Sequence, residues 1–106
     1  MKDKTIYLLH ANICKALANP LRIEIIELIG EREVSFNDLQ TETGALKSNL
    51  SQHLSLMVSS GLLVQRRDGL KAHYRLSSEK IAIACRMMRD ILVHNLNKQH
   101  EMIKHL

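Results

Sequence analysis

The hydrogen-bonding side chains of this sequence are concentrated in one segment near its middle. Between positions 47 and 60, apolar residues recur at helical spacing and predict an amphipathic helix. The opposite face of that helix carries polar side chains: Lys47, Ser48, Asn49, Ser51 and Gln52. Serine and glutamine both donate and accept hydrogen bonds, as the reading of base edges in the DNA major groove requires. The alternative is that this is only the solvated face of an amphipathic helix.

A basic group follows directly along the chain. Positions 62–66 and 71–76 have the character of two strands, and the Asp68-Gly69 turn between them predicts a β-hairpin. The basic side chains of this hairpin are Arg66, Arg67, Lys71, His73 and Arg75. Like charges opposite each other across strands are destabilising unless a polyanion neutralises them, so we expect contacts with phosphates. The alternative is that the charges only protect the strand edges.

The two cysteines form a third candidate site. His10 lies one helical turn before Cys14, and its imidazole could favour the thiolate form or join Cys14 as a ligand of a soft metal. Cys85 lies on an apolar stripe of the predicted last helix. We interpret Cys14, Cys85 and His10 as a candidate site for thiol oxidation, a reactive sulfur species, a metalloid or a thiophilic metal. The alternative is that both cysteines are inert, partly buried hydrophobic residues.

A fourth group lies on the predicted last helix. Asp90 and His94 are at positions i and i+4 and therefore face the same way. Two ligands do not make a zinc site without help from a second chain, so this pair is a candidate metal site only in an oligomer. The alternative is a solvated Asp–His pair.

The composition fits one small domain over residues 1–106, with residues 91–106 extending its last helix. Aromatic residues make up only 3% of the chain, so the core must be aliphatic, which favours packed helices. The net charge of +4 is compatible with a nucleic-acid partner. No apolar run approaches the roughly 20 residues of a membrane span, and the N-terminus is not a secretory signal. We therefore expect a cytoplasmic protein with no membrane partner.

Capping residues predict where the helices begin. We expect Asp3, Asn19 and Ser35 to cap the first three helices, and the Ser77-Ser78 pair to cap the last one. Each of these side chains offers an oxygen to the backbone N–H groups that a helix start leaves without partners. The sequence thus predicts five helices, counting the segment 47–60.

Two further features concern the arrangement of these helices. Gly44-Ala45-Leu46 separates the short third helix from helix 47–60, and this arrangement is typical of a helix-turn-helix. The last helix carries an apolar stripe of Ile81, Cys85, Met88, Leu92 and Leu96. That stripe is too continuous to stay exposed in a monomer, so we expect a homodimer.

Several segments together resemble the ArsR/SmtB family of bacterial repressors. They are Ala16-Leu17-Ala18-Asn19-Pro20-Leu21-Arg22, Asn49-Leu50-Ser51-Gln52-His53-Leu54, Ser60-Gly61-Leu62-Leu63, Arg66-Arg67-Asp68-Gly69 and His73-Tyr74-Arg75-Leu76. The resemblance spans roughly residues 8–92. It implies a mainly α-helical winged helix-turn-helix with a β-hairpin wing, paired as a homodimer through its first and last helices. It also implies a repressor of its own operon that releases DNA when an inducer binds.

The resemblance also implies roles for single residues. The residues that match family positions pointing into the major groove are Lys47, Ser48, Ser51 and Gln52. His53 matches a histidine of the family motif, and its place beside the apolar face favours packing or a phosphate contact. The wing residues expected at phosphates or in the minor groove are Arg66, Arg67, Lys71 and His73. The metal-binding residues of the family have no counterparts here, so the resemblance leaves the inducer open. Cys14, Cys85 and His10 are then the candidate inducer site.

We therefore expect a dimeric transcriptional repressor that needs no cofactor and binds an inverted-repeat operator with helix 47–60 and wing 62–76. One alternative is a winged-helix module for protein–protein interaction that does not bind DNA. Another is a regulator of this type with no inducer site. An enzyme is not expected, because the sequence has no nucleophile–base pairing, glycine-rich phosphate loop or complete metal motif.

Overall fold

Five helices and a β-hairpin are present in the computed structural model, which describes residues 3–105. The elements in chain order are α1 (Thr5–Leu17), α2 (Pro20–Ile29), β1 (Val34–Ser35), α3 (Phe36–Thr43), α4 (Lys47–Ser59), β2 (Leu63–Asp68), β3 (Lys71–Leu76) and α5 (Lys80–Lys104). The architecture is a winged helix-turn-helix, in which α3 and α4 are the helical pair and β2 and β3 are the wing. The predicted continuation of the last helix to Leu106 lies outside the described residues.

Side-chain caps begin α2 and α3 where the sequence predicts them. The Asn19 side chain accepts hydrogen bonds from the backbone N–H groups of Leu21 and Arg22, at 2.9 and 3.2 Å. Pro20 takes the first helical position, where its missing N–H costs nothing. The Ser35 hydroxyl accepts from the Asp38 N–H at 3.1 Å. These caps satisfy N–H groups that the helix starts leave free.

In the first and last helices, the residue at the N-cap position makes no capping hydrogen bond, and a side chain one residue earlier accepts from the backbone instead. The Asp3 carboxylate accepts from the backbone N–H of Thr5 at 2.9 Å, and the Ser78 hydroxyl accepts from the Lys80 N–H at 3.2 Å. The prediction that Ser77 also caps α5 is wrong. Its hydroxyl donates to the Gly61 carbonyl at 2.6 Å, so Ser77 ties the end of β3 to the end of α4.

Two predicted boundaries are wrong by one or two residues. Helix α4 ends at Ser59, where position 60 had been expected. Strand β2 covers 63–68 where the prediction was 62–66, because its ladder with β3 continues to the pair Asp68–Lys71.

The sheet joins the wing to the helical core. Its strand order is β1-β3-β2, and both pairings are antiparallel. The short β1 places Val34 opposite Tyr74 and Ser35 opposite His73. Because β1 runs directly into α3, this pairing fixes the start of α3 against the wing.

The core lies between α2, α3, α4 and the base of the wing. Its largest fully buried side chains are Ile25, Ile26, Ile29, Leu39, Leu50, Leu54, Met57 and Leu62. In contrast, α1 and α5 each contribute a single buried residue, Ala16 and Ala82. The core therefore fixes α4 relative to the wing, while α1 and α5 leave most of their surface exposed.

Candidate nucleic-acid interface

Helix α4 presents a polar face to solvent. Its exposed residues include all five that the sequence singles out: Lys47, Ser48, Asn49, Ser51 and Gln52. The opposite face is buried through Leu50, Leu54 and Met57, which fixes the rotation of the helix about its axis. No acidic residue occupies the first turn, so nothing offsets the positive end of the helix dipole. This end of α4 is therefore favourable for a phosphate.

A cleft of about 720 Å³ separates α4 from the wing. Lys47 and Ser51 line it from the helix, and Arg67 and Lys71 line it from the hairpin. The segment from Ser35 to Asp38 forms another part of its wall. The cleft thus brings the hydrogen-bonding group and part of the basic group together on one surface.

The wing directs its two neighbouring arginines to opposite faces. Arg67 lies opposite Ala72, whereas Arg66 lies opposite His73, and successive strand residues alternate between faces. Ala72 lines the cleft together with Arg67, so Arg67 is on the side of α4. Arg66 and His73 share the opposite face of the sheet, and His73 also lines the cleft.

The expectation that like charges oppose each other across the hairpin is wrong for most of its length. Strand register places Lys71 opposite Asp68, which carries the opposite charge, and Arg67 opposite an alanine. Arg66 and His73 are the one pair of basic residues in direct opposition. The wing therefore needs no polyanion to be stable. Any affinity of the wing for phosphate comes from those of its cations that are not paired within the protein.

Arg66 is held in an ion pair by a residue that sequence reasoning missed. Its guanidinium donates to both oxygens of the Glu33 carboxylate, at distances of 2.7 to 3.1 Å. These hydrogen bonds, more than the charges of Arg66, His73 and Arg75, hold the pKa of Glu33 below its usual value. The pKa of Arg66 is raised for the same reason. No local sequence signal could have found this pair, because its partners meet only through the register of the sheet.

His53 is half-buried and packs against the start of α2. Nη1 of Arg22 lies 3.4 Å from Nδ1 of His53, and because a guanidinium only donates, Nδ1 is the acceptor in this contact. Arg22 is a second residue that sequence reasoning missed. Its Nε is buried without a hydrogen-bond partner among residues 3–105. The contact supports a packing role for His53 over base reading.

The residues of the predicted inducer site lie on two helices. Cys14 and His10 are exposed on α1, and Cys85 is half-buried on α5. Cys85 lines a small crevice between α2 and α5, beside an ion pair in which Arg89 donates to Glu27 at 2.6 and 2.7 Å. Both cysteines are free thiols. Burial raises the pKa of the Cys85 thiol, which disfavours its reactive thiolate form.

Helix α5 also carries the candidate metal ligands. Asp90 and His94 are both exposed on it. Within residues 3–105 no three His, Cys, Asp or Glu side chains come together to hold a metal ion. A site at Asp90 and His94, or at Cys14 and Cys85, would thus need ligands from outside this part of the chain.

None of the described helices is long and apolar enough to cross a membrane, and this includes α5 with its 25 residues.

The fold and this surface define a winged-helix protein of the DNA-binding class. The family model for bacterial regulatory proteins of the arsR family matches residues 19–64. These residues run from the cap of α2 through α3 and α4 into the first strand of the wing.

Known proteins extend this likeness over the whole chain. The chain is 34% identical to Rv0081 of Mycobacterium tuberculosis, an uncharacterized HTH-type transcriptional regulator, over 100% of its own length and 94% of that relative. It is 36% identical to the arsenical resistance operon repressor of Escherichia coli, over 77% of this chain and 71% of that repressor.

Solved structures agree with the fold. The crystal structure of M. tuberculosis Rv0081 matches with a TM-score of 0.80 and 35% identity, over 92% of this chain and 98% of that one. A solution structure of the homodimeric winged helix-turn-helix DNA-binding domain Mb0332 from Mycobacterium bovis matches with a TM-score of 0.79 and 28% identity, over 92% of this chain and 93% of that one.

The chain belongs to the ArsR family of bacterial regulatory proteins. It is a transcriptional regulator and not an enzyme. The family and the winged helix-turn-helix fold predicted from the resemblance are both confirmed.

Proposed function

We propose that this chain is a homodimeric repressor that binds an inverted-repeat operator in double-stranded DNA. The observation that carries the proposal is the cleft, since it joins Lys47 and Ser51 of α4 to Arg67 and Lys71 of the wing. With α4 in the major groove, the wing reaches neighbouring phosphates, so one surface combines base reading with phosphate binding. Such a repressor acts on chromosomal DNA and therefore in the cytoplasm.

The residues of this surface divide into two roles. We assign the base edges to Ser51 and Gln52, with Lys47, Ser48 and Asn49 at base edges or at the phosphates beside them. Arg67 and Lys71 contact phosphates, and His73 contacts the phosphates or the minor groove beside them. His53 supports α4 from its inner side through Arg22.

The surface area of the chain favours a dimer. Its accessible area is 8077 Å², about 2000 Å² more than the roughly 6000 Å² typical of a monomer of 12.1 kDa. Its radius of gyration is 16.7 Å, against about 13 Å for a compact domain of this length. An obligate dimer of small subunits buries a total area of this order, roughly 2000–5000 Å².

Exposed apolar residues on the first and last helices support an interface formed by these two helices. On α1 they include Ile6, Tyr7, Leu8, Leu9 and Ile13, and on α5 Ile83, Met87, Met88, Ile91, Leu92, Val93 and Leu96. Pairing these helices across a two-fold axis buries them and sets the two α4 helices about one DNA turn apart, ~34 Å.

The test is the salt dependence of DNA binding. Fluorescence anisotropy is measured with a duplex from the region upstream of the gene and with a random duplex of equal length. Each phosphate contact lowers the slope of log K against log salt by about 0.9, so we expect a steep loss of affinity with salt. An interaction module that binds proteins through an apolar face predicts no DNA binding, and that result would contradict the proposal.

The inducer site is the second part of the proposal. We assign release from DNA to thiol chemistry at Cys14 and Cys85. If the inducer is a thiophilic metal or a metalloid, His10 is a further ligand in a site that forms only where α1 of one protomer meets α5 of its partner, because these residues do not come together within residues 3–105 of one chain. The exposure of Cys14 supports access by such a reagent. Since α1 and α5 form the proposed interface, a bond or ligand that joins them changes the spacing of the two α4 helices. A change of ~1.4 kcal/mol in differential binding alters operator occupancy tenfold.

A double variant tests the inducer assignment. Operator release is measured under oxidant, a sulfur donor, Zn²⁺ and As(III), for the wild type and for Cys14→Ser/Cys85→Ser. We expect release from the wild type and none from the variant. An equal response in both proteins would make the cysteines structural residues, and no response in either would indicate a regulator without an inducer site. Zn²⁺ release that survives the double variant but is lost in His94→Ala would assign the site to Asp90 and His94.

A further inference from the structure

The wing holds an ion pair, between Arg66 and Glu33, that the proposed DNA contacts do not use, although Glu33 lines the cleft. Arg66 Nε donates to both carboxylate oxygens of Glu33 at 3.1 Å, and Nη2 donates to Oε1 at 2.7 Å. A guanidinium binds a phosphate group with this same forked geometry. The Glu33 carboxylate thus occupies Arg66 as a phosphate would.

The pair extends across the sheet. Arg66 is on β2 at one edge, Glu33 directly precedes β1 at the other edge, and β3 with His73 lies between them. Both side chains remain partly exposed, at 53% for Arg66 and 33% for Glu33. The pair is therefore open to competition by an anion from solution, and a buried structural pair would not be.

The next residue along the chain, Arg67, is not paired in this way. Arg67 lines the cleft beside α4 and makes no ion pair within residues 3–105. Of two consecutive arginines in the wing, Arg67 is unpaired within the described residues, whereas Arg66 is neutralised by Glu33, which lines the same cleft. The wing presents fewer free cations than its sequence suggests.

We propose that Glu33 is a positioning residue that withholds Arg66 from DNA and so limits the sequence-independent affinity of the wing. Non-specific binding to DNA comes from neutralised phosphates, and every additional arginine contact strengthens it on all sequences alike. Holding one arginine internally lowers the affinity for bulk DNA and makes release of the operator easier. This inference rests on the proposed DNA binding.

The test is the salt slope of the variant Glu33→Gln on a random duplex. The glutamine keeps the shape of the side chain but loses its charge, so Arg66 becomes available to a phosphate. We expect the slope of log K against log salt to steepen by about 0.9 and the affinity to rise roughly tenfold at about 50 mM salt. The gain should fall to roughly fourfold at about 200 mM salt.

Two controls separate this effect from a change in net charge or in folding. Glu31→Gln removes the same charge from an exposed residue that has no ion pair among residues 3–105, so its slope should stay close to that of the wild type. Glu33→Gln/Arg66→Ala has the net charge of the wild type and should return both slope and affinity to wild-type values. Circular dichroism establishes that each variant is folded. If Glu33→Gln does not fold, Arg66→Lys replaces it, because lysine cannot form the fork and should also steepen the slope.

The possible results of this experiment distinguish failure of the inference from failure of the proposed function. Weaker or unchanged binding by folded Glu33→Gln would overturn the inference and make the pair a structural strap of the sheet. An equal gain in Glu31→Gln, or a gain that persists in the double variant, would also overturn it. If the wild type binds neither duplex, the proposed function fails together with the inference. If the wild type binds and the Glu33→Gln slope is unchanged, only the inference fails.

Discussion

Gln52 is the side chain whose chemistry bears most directly on sequence reading. It is exposed on the polar face of α4, on a helix whose rotation is fixed by buried Leu50, Leu54 and Met57. A carboxamide can donate and accept at once, and it matches the edge of an adenine with two hydrogen bonds. Loss of such a contact affects only the sequence that offers that base.

We expect Gln52→Ala to weaken binding to the operator by about 1–3 kcal/mol and to have much less effect on a random duplex. Anisotropy titrations with the two duplexes measure the difference. Gln99→Ala on exposed α5 is the matched control and should leave both affinities unchanged. Equal losses on both duplexes would show that Gln52 contacts a phosphate.

For single residues, the sequence predicts hydrogen bonds between neighbours along the chain well. It predicts hydrogen bonds between residues far apart in the chain poorly. The caps at Asn19 and Ser35 follow from side chains that bond backbone groups two or three residues away. The pair Glu33–Arg66 joins residues 33 positions apart, and it exists only because β3 sets the register of both edge strands. The exposure of the α4 face was predictable, because the apolar periodicity of the helix decides it.

The wing is the element that should determine affinity more than sequence preference. Its cations Arg67 and Lys71, which form no ion pair with any described residue, line the cleft, and phosphates are the same in every sequence. Arg67→Ala and Lys71→Ala should each weaken binding on all duplexes alike and flatten the salt slope by about one unit. Lys98→Ala on α5 is the control and should leave the slope unchanged. Unchanged slopes in both wing variants would show that the wing does not touch DNA.

Helices α2 and α5 are joined by the ion pair Glu27–Arg89, whose pH dependence can be tested. Hydrogen bonding to Arg89 lowers the pKa of the Glu27 carboxyl from its ordinary value of 4.5. Because the folded value is the lower one, the pair stabilises the fold above about pH 4.5, and this stabilisation is lost as pH falls through the depressed value. Below that pH the carboxyl is protonated in both states.

Thermal unfolding followed by circular dichroism tests whether the ion pair stabilises the fold at neutral pH and loses this effect in acid. Glu27→Gln should melt at a lower temperature than the wild type at pH 7, and the gap between the two melting temperatures should narrow as the pH falls below 4.5. Glu24→Gln, on the same helix and without an ion pair among residues 3–105, should show no such convergence. A gap that widens in acid would contradict the assigned role.

At the scale of the elements, the sequence predicts which helices and strands exist and in which order. It predicts less well which residues lie opposite each other on the wing. The Asp68-Gly69 turn and the alternation of 71–76 are enough to predict the hairpin. Which charges oppose each other depends on the register, and the two extra residues of β2 place Lys71 opposite Asp68. The expectation of repelling charges failed for that reason.

The whole molecule is incomplete as a monomer. The exposed apolar side chains of α1 and α5, together with about 2000 Å² of surface beyond that of a typical monomer, indicate a second copy. Whether Cys14 and Cys85 come together is also decided at the scale of the whole molecule. Sequence alone could not predict it, since it depends on how two chains pack.

Sedimentation velocity tests the dimer. We expect the wild type to be dimeric at micromolar concentration and Leu92→Lys to shift toward monomer, because a lysine charge in the interface must lose its hydration. Leu70→Lys is the control, since Leu70 is fully exposed at the tip of the wing and should not affect assembly. A wild type that sediments as a stable monomer would contradict the dimer and the inverted repeat together.

The central claim is that two α4 helices, held by one dimer, read two half-sites of DNA. Hydroxyl-radical footprinting of the wild-type dimer on its upstream duplex tests this claim most directly. We predict two protected segments of equal strength, related by two-fold symmetry and centred about 10 base pairs, one helical turn, apart or a multiple of that. Uniform protection without symmetry, or no protection at salt concentrations where the protein is a dimer, would contradict the account.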